Sequence, residues 1–166
     1  KTPLQRAIQL LKRHRDVMFV DNPDVAPISM ILTNLAGHAY DGEADVYDAI
    51  RGILARMLNY VRPERPRVPN PTHPEEDYAD KWSKDRRLET HFLQWHSQAV
   101  QDFETLPMLM DPVRLKAETK RSFQVDLRDD HLRSLGLASA APAIIVAPSA
   151  PRVQISSPSR PWGSID

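Results

Sequence analysis

The sequence predicts an all-α domain that ends in a disordered tail rich in proline, alanine and serine. Apolar residues recur every three or four positions in several separate segments, which is the spacing of one face of an α-helix. Two pairs, Thr2-Pro3 and Asp111-Pro112, combine a helix-capping residue with the proline that favours a first helical turn. No segment predicts a β-strand. We therefore expect a helical domain over residues 1–136 and a disordered tail over residues 137–166.

The helical segments can be placed along the chain from their caps and apolar spacing. A stretch of five prolines lies among them at residues 62–74, and because proline donates no backbone hydrogen bond we expect an extended connector there. The first helix is expected to pack on the long amphipathic helix that follows the connector. The predicted helices span residues 2–20, 27–40, 45–57, 75–82, 84–106, 111–123 and 127–135.

Composition argues against several classes of protein. Lysine plus arginine equal aspartate plus glutamate at 22 each, which gives no support for bulk electrostatic binding of nucleic acid or of an anionic membrane. The chain has no cysteine, so it has neither a disulfide framework nor a cysteine-based metal site. No apolar run approaches the roughly 20 residues that span a bilayer. These features favour a cytoplasmic protein that binds neither a membrane nor nucleic acid.

Common catalytic motifs are missing from these 166 residues. The five glycines never cluster, so there is no glycine-rich loop for phosphate. The six histidines are scattered, and we expect them at the solvent edge or partly buried rather than around a metal. From spacing alone the chain is a helical domain with no catalytic residues and no metal site of its own.

Three segments together show a family resemblance. They read TPLQRAIQLLKRHRD at residues 2–16, PISMILT at residues 27–33 running on to Ala39-Tyr40, and VPNPTHPEEDYADKW at residues 68–82. In this order and at these distances they resemble the C-terminal helical domain of bacterial cGAS/DncV-like nucleotidyltransferases. These enzymes are relatives of oligoadenylate synthase found in anti-phage operons. The resemblance covers roughly residues 1–123.

The resemblance implies a bilobal enzyme of which this chain is the helical lobe. In the family an N-terminal α/β lobe supplies a Gly-Ser turn and an acidic triad that holds Mg²⁺, and the helical lobe binds the donor nucleoside triphosphate. The product is a cyclic di- or oligonucleotide messenger. This chain has neither the turn nor the triad, and it starts directly at a predicted helix, as expected of a fragment. We expect it to need the missing lobe as its partner and to be inactive alone.

The resemblance also assigns two residues to the donor triphosphate, Lys12 and Ser29. Lys12 lies beside the apolar stripe of the first helix, and a compact ammonium group suits a polyphosphate. The alternative is a surface lysine that lies along the helix. Ser29 lies in the first turn of the second helix, where free amides and the helix dipole favour an anion. The alternative is a serine that only satisfies the start of that helix.

The other motif residues are expected to be architectural. Asn70 and Asp77 are residue types that cap turns and short helices, and Trp82 is expected to anchor its segment to the core. The alternative is that this segment helps to shape the pocket for the base. Arg13 and Arg15 flank Lys12 and are both expected to face water. An alternative function, from a different class of protein, is that of a helical protein-interaction module with no nucleotide chemistry.

Overall fold

The structure of the protein, a computed structural model, describes residues 1–137. Within that range one isolated antiparallel bridge joins Pro69 and Asp77, and no β-strand forms. The predicted all-α class is confirmed. The predicted tail, apart from its first residue, lies outside the described residues. The helices are α1 (Pro3–Met18), α2 (Ser29–Ala39), α3 (Val46–Arg56), α4 (Arg86–Thr105), α5 (Pro112–Phe123) and α6 (Asp129–Ser134).

Short polar side chains begin four of the six helices. Thr2 accepts a hydrogen bond from the Gln5 amide while the Gln5 side chain accepts one from the Thr2 amide, which satisfies two free donors at once. Asp45, Asp85 and Asp111 each accept a hydrogen bond from an amide in the first turn of α3, α4 and α5. The predicted starts at residues 2, 45 and 111 are therefore confirmed.

The core lies where α1 crosses the other long helices. The predicted contact between α1 and α4 is present, but α1 packs along more of its length against α3. Aromatic side chains of α4 fill the centre, and Phe92 and Trp95 are fully buried. Around them lie small and branched residues of the first three helices, among them Ala7, Leu11, Ile31, Leu35, Ile50 and Ile53.

The helix predicted over residues 75–82 is wrong. That stretch is a bent chain followed by one 3-10 turn, Asp80–Ser83. The reason is the buried carboxylate of Asp77, which accepts hydrogen bonds from the amides of Arg67, Val68 and Ala79. A side chain that satisfies backbone amides in this way competes with the helical hydrogen bonds. Three further 3-10 turns lie at Pro23–Val25, Met57–Tyr60 and Leu106–Met108.

Four helix boundaries differ from the prediction by two residues, namely the end of α1 and the starts of α2, α4 and α6. The second helix begins at Ser29 rather than Pro27, because the Pro27 carbonyl accepts a hydrogen bond from Arg15 and Ile28 takes the capping position. The first helix ends at Met18. Among residues 1–137, none of the helices has the length and hydropathy that crossing a bilayer requires.

Candidate functional site

The two residues assigned to a triphosphate lie on neighbouring helices. Lys12 is half-buried in the third turn of α1, and Ser29 is half-buried as the first residue of α2. Arg15 follows Lys12 by three positions, so the two side chains share one side of α1. Because Arg15 reaches the Ser29 hydroxyl, that side of α1 faces the start of α2. The fold thus brings a lysine, an arginine and a serine to one junction between two helices.

Arg15 does not face water, which corrects the prediction for this residue. Its side chain is only 11% exposed. Nη1 donates to the Pro27 carbonyl at 2.5 Å, and Nη2 donates to the Ser29 Oγ at 3.2 Å. The spacing of three residues from Lys12 was the signal that could have placed it in the site. Arg13 is exposed, as expected, although its Nε donates to the Phe123 carbonyl at 2.9 Å.

The start of α2 has backbone amides available to an anion. Its capping residue is Ile28, which offers no side-chain acceptor, and no side chain caps this end. The first intrahelical bond found there runs from the Leu32 amide to the Ile28 carbonyl. The amides of the first turn are therefore free of helical partners, and the positive end of the helix dipole lies beside Ser29. An anionic group placed at the start of α2 would meet these amides.

A groove lies along α2. It has a volume of about 360 Å³ and lies between α2 and the segment that contains Pro71 and Tyr78. Its walls mix apolar and polar side chains, and Gly37 leaves open space along the helix. That volume lies within the range of small-molecule sites, roughly 300–1,000 Å³. The remaining lining residues are Met30, Thr33, Asn34 and His38.

Asp77 holds the connector in place. Its carboxylate accepts three backbone amides, and Arg65 lies 3.6 Å away at its outer edge. Burial raises the pKa of Asp77, but the hydrogen bonds from Val68, Arg67 and Ala79 outweigh it and hold the pKa below its usual value. The carboxylate is thus charged at neutral pH and serves the backbone of its own segment.

Asn70 and Trp82 come before and after Asp77 in the same segment of the sequence. The Asn70 Oδ1 accepts hydrogen bonds from the Thr72 amide and hydroxyl, and its Nδ2 donates to Glu76 at 2.6 Å. Trp82 is buried against Phe92 with ring centroids 5.3 Å apart, and the Arg67 guanidinium lies 5.5 Å from the Trp82 ring centroid. Both residues make contacts within the fold, and neither lines the groove beside α2.

A buried polar cluster on the other side of α1 was missed by sequence reasoning. His14 is only 2% exposed, which corrects the expectation that the histidines lie near solvent. Its Nε2 lies 2.9 Å from the Asp102 Oδ2, and the same carboxylate accepts hydrogen bonds from Gln98, Arg121 and Ser122. The apolar spacing contained the signal, since His14 falls on the stripe of Ala7 and Leu11.

The cluster has a fixed distribution of charge. Burial lowers the pKa of His14 against the opposing effect of Asp102, so the imidazole is neutral and donates from Nε2. Burial raises the pKa of Asp102, but hydrogen bonds from Arg121, His14 and Gln98 lower it below its usual value. Among the described residues the His14 Nδ1 has no partner, which also favours the neutral ring because a protonated Nδ1 would be a buried unsatisfied donor. This cluster fixes α1 to α4 and α5.

Residues 1–137 contain no group of three or more His, Asp or Glu side chains arranged to hold a metal ion. The described helices provide cationic and neutral donors suited to an anion.

Comparison with known proteins supports the nucleotide interpretation. No family model matches the chain. The chain is 37% identical over 110 residues to a c-di-GMP synthase of Roseivirga ehrenbergii. It is similar to part of a cyclic dinucleotide synthase. The match covers 64% of this chain but only 29% of the length of that relative.

Proposed function

We propose that this chain is the helical lobe of a nucleotidyltransferase that joins nucleoside triphosphates into a cyclic di- or oligonucleotide. The observation that supports this best is the 37% identity to a c-di-GMP synthase. In this proposal Lys12 and Ser29 bind the triphosphate of the donor nucleotide. The groove beside α2 has room for further parts of a nucleotide.

The chemistry of the junction fits the charge of a triphosphate. The Lys12 ammonium group has no ion-pair partner among residues 1–137, so its charge is available to a phosphate. The Ser29 hydroxyl and the free amides of the first turn of α2 add neutral donors. Together they would orient the donor and offset part of its negative charge, which is how such enzymes lower the barrier to phosphoryl transfer.

Proton transfer and metal binding are assigned to the other lobe. Bound Mg²⁺ would activate the attacking hydroxyl and offset charge on the leaving pyrophosphate. We propose that its ligands are the acidic residues of an N-terminal lobe outside these 166 residues. That lobe and the nucleoside triphosphates are the proposed partners.

Substitution of Lys12 in the full-length protein tests the proposal. A charge-assisted hydrogen bond is worth roughly 1.5–3 kcal/mol, so Lys12→Ala should lower kcat/KM for the triphosphate by about 10- to 150-fold. GTP is the first substrate to try, because the similar enzyme is named for a guanine product. Lys12→Arg should recover part of the loss, since a planar fork does not reproduce a point charge. Lys120→Ala is the control, because Lys120 is exposed and pairs only with exposed Asp126.

Unchanged kcat/KM in Lys12→Ala would show that the assigned role is wrong. The competing interpretation, a helical interaction module, predicts something different upstream of Lys1. An upstream sequence with a Gly-Ser turn and paired aspartates on a strand would support the enzyme. An unrelated domain there would support the interaction module.

The biological setting is proposed on the family resemblance alone. We propose that the messenger acts in anti-phage defence in the bacterial cytoplasm. Phage plating on cells with the intact operon, compared with cells that carry Lys12→Ala, tests it. Equal plating efficiency on both would count against the defence role.

A further inference from the structure

The Arg15 guanidinium uses all three of its nitrogens, two of them to connect α1 to the start of α2. Nη1 donates to the Pro27 carbonyl, Nη2 donates to the Ser29 Oγ, and Nε donates to the Asp16 Oδ1 at 2.8 Å. The side chain is 11% exposed, so it is held in one place between the helices. Arg15 thus fixes the residue before the cap of α2 and the first residue after it.

These contacts leave Arg15 little capacity to bind a phosphate itself. Its positive charge is balanced by Asp16, whose carboxylate also lies 2.7 Å from Nη2. Of the five N–H donors of the guanidinium, three are directed at a carbonyl, a hydroxyl and a carboxylate, and a fourth on Nη2 lies beside the same carboxylate, so at most one donor of a side chain that is 11% exposed remains for a ligand. Its effect on a ligand is therefore exerted through Ser29.

The contact with Arg15 decides what the Ser29 hydroxyl can do. A hydroxyl has one proton and two lone pairs, and the Arg15 Nη2 donates into one of the lone pairs. The hydroxyl proton must then point away from Arg15. Among residues 1–137 it meets no protein acceptor, since the bond with Arg15 is the one that Ser29 Oγ makes there. Donation from a charged group also polarises the hydroxyl and makes it a stronger donor.

We propose that Arg15 is a positioning residue that orients the Ser29 hydroxyl as a hydrogen-bond donor to a phosphate oxygen of the nucleoside triphosphate. This inference rests on the proposed function. It separates the roles of two neighbouring cations on α1: Lys12 supplies charge to the ligand, and Arg15 supplies the orientation of a neutral donor. Arg15 therefore affects the ligand only while Ser29 has a hydroxyl.

A double-mutant cycle in the full-length protein tests this dependence. Ser29→Ala should raise KM for the triphosphate by roughly 2- to 10-fold, the range of a single neutral donor, with kcat little changed. Arg15→Lys should raise KM by a similar factor, because an ammonium group cannot reach Pro27 and Ser29 together. The double variant should be no worse than the worse single variant, whereas independent effects would multiply. Ser29→Thr keeps the hydroxyl and should recover most of the affinity.

Arg13→Lys is the matched control. Arg13 lies on the same helix, and its Nε donates to a backbone carbonyl at the opposite contact, that of Phe123. This variant weakens the attachment of α1 to a similar degree without touching Ser29, so KM should not change. Thermal unfolding of every variant shows whether a loss of affinity follows from loss of stability.

The outcomes separate the inference from the function on which it rests. If Lys12→Ala and Ser29→Ala both leave triphosphate use unchanged, the proposed site is wrong and the role of Arg15 is wrong with it. If those two variants impair triphosphate use but Arg15→Lys has no effect, or multiplies the effect of Ser29→Ala, only the positioning role is wrong. A rise in KM for Arg13→Lys as large as that for Arg15→Lys would likewise make Arg15 a structural residue alone.

Discussion

At the scale of single residues, the carboxylate of Asp102 is the group on which the most buried polar contacts converge. It is 6% exposed and accepts hydrogen bonds from α1, α4 and α5. A buried charge is tolerated only when it is paired and hydrogen-bonded. If Asp102 is removed, the groups that donate to it lose their hydrogen-bond acceptor, which costs folding free energy. The cluster is therefore sensitive to the loss of this one side chain.

Asp102→Ala should destabilise the fold by about 2–4 kcal/mol, because it leaves the His14 Nε2 and the Ser122 hydroxyl without a partner. Urea denaturation measures the change. Glu118→Ala is the control, since Glu118 also accepts from Arg121 but its side chain is 36% exposed against 6% for Asp102, and its loss should cost less than about 1 kcal/mol. Equal losses in the two variants would contradict the argument.

The state of His14 predicts how stability depends on pH. The folded protein holds this ring neutral with a lowered pKa, while the unfolded chain takes up a proton near the ordinary value of 6.5. The unfolded state therefore binds more protons on acidification, and the free energy of unfolding should fall as the pH drops through about 6.5 towards the lowered pKa of the folded ring. In His14→Gln this part of the decrease should disappear. If both proteins lose stability with the same slope, His14 is not the residue responsible.

At the scale of elements, helices with a polar cap and a following proline could be predicted closely. The start of α5 at Asp111-Pro112 is an example, because the signal lies within a few residues of the boundary. The segment over residues 68–82 could not, because its shape depends on amides ten residues from Asp77. Lys12 and Ser29 could be proposed from a motif. The contact between Arg15 and Ser29 could not be predicted, because it depends on which helices pack together.

Substitution of Asp77 tests whether its carboxylate determines the shape of the connector. Asp77→Ala leaves the buried Val68 and Ala79 amides unsatisfied and should destabilise the fold by roughly 2–3 kcal/mol. The connector should also open locally, so trypsin should cut faster after Arg67, which is followed by Val68, than in the unchanged protein. Glu76→Ala removes an exposed acceptor in the same segment and should leave the cutting rate unchanged. Equal protection in Asp77→Ala would show that the prolines alone define the connector.

At the scale of the whole molecule, the chain has donors for an anion but no acidic site for a metal within residues 1–137. Residues 138–166 contain a single acidic side chain, Asp166. Because two-metal catalysis needs several carboxylates, the purified 166-residue chain should make no nucleotide product. Incubation with the four nucleoside triphosphates and Mg²⁺, followed by chromatography, checks this. A magnesium-dependent product would contradict the proposal that the metal ligands belong to the other lobe.

The hydrogen bond between His14 and Asp102 joins residues that are 88 positions apart. A ribosome adds about 5–20 residues each second, so roughly 4–18 s separate the synthesis of the two partners. Phe92 and Trp95 of α4 are synthesised only near the end of that interval, so for most of it α1 has at most α2 and α3 to pack against. The apolar side of the helix that contains Lys12 and Arg15 is therefore open to other proteins for seconds in every round of synthesis. We expect a growing chain of this kind to be bound by chaperones that recognise apolar helices before the last part of the domain is made.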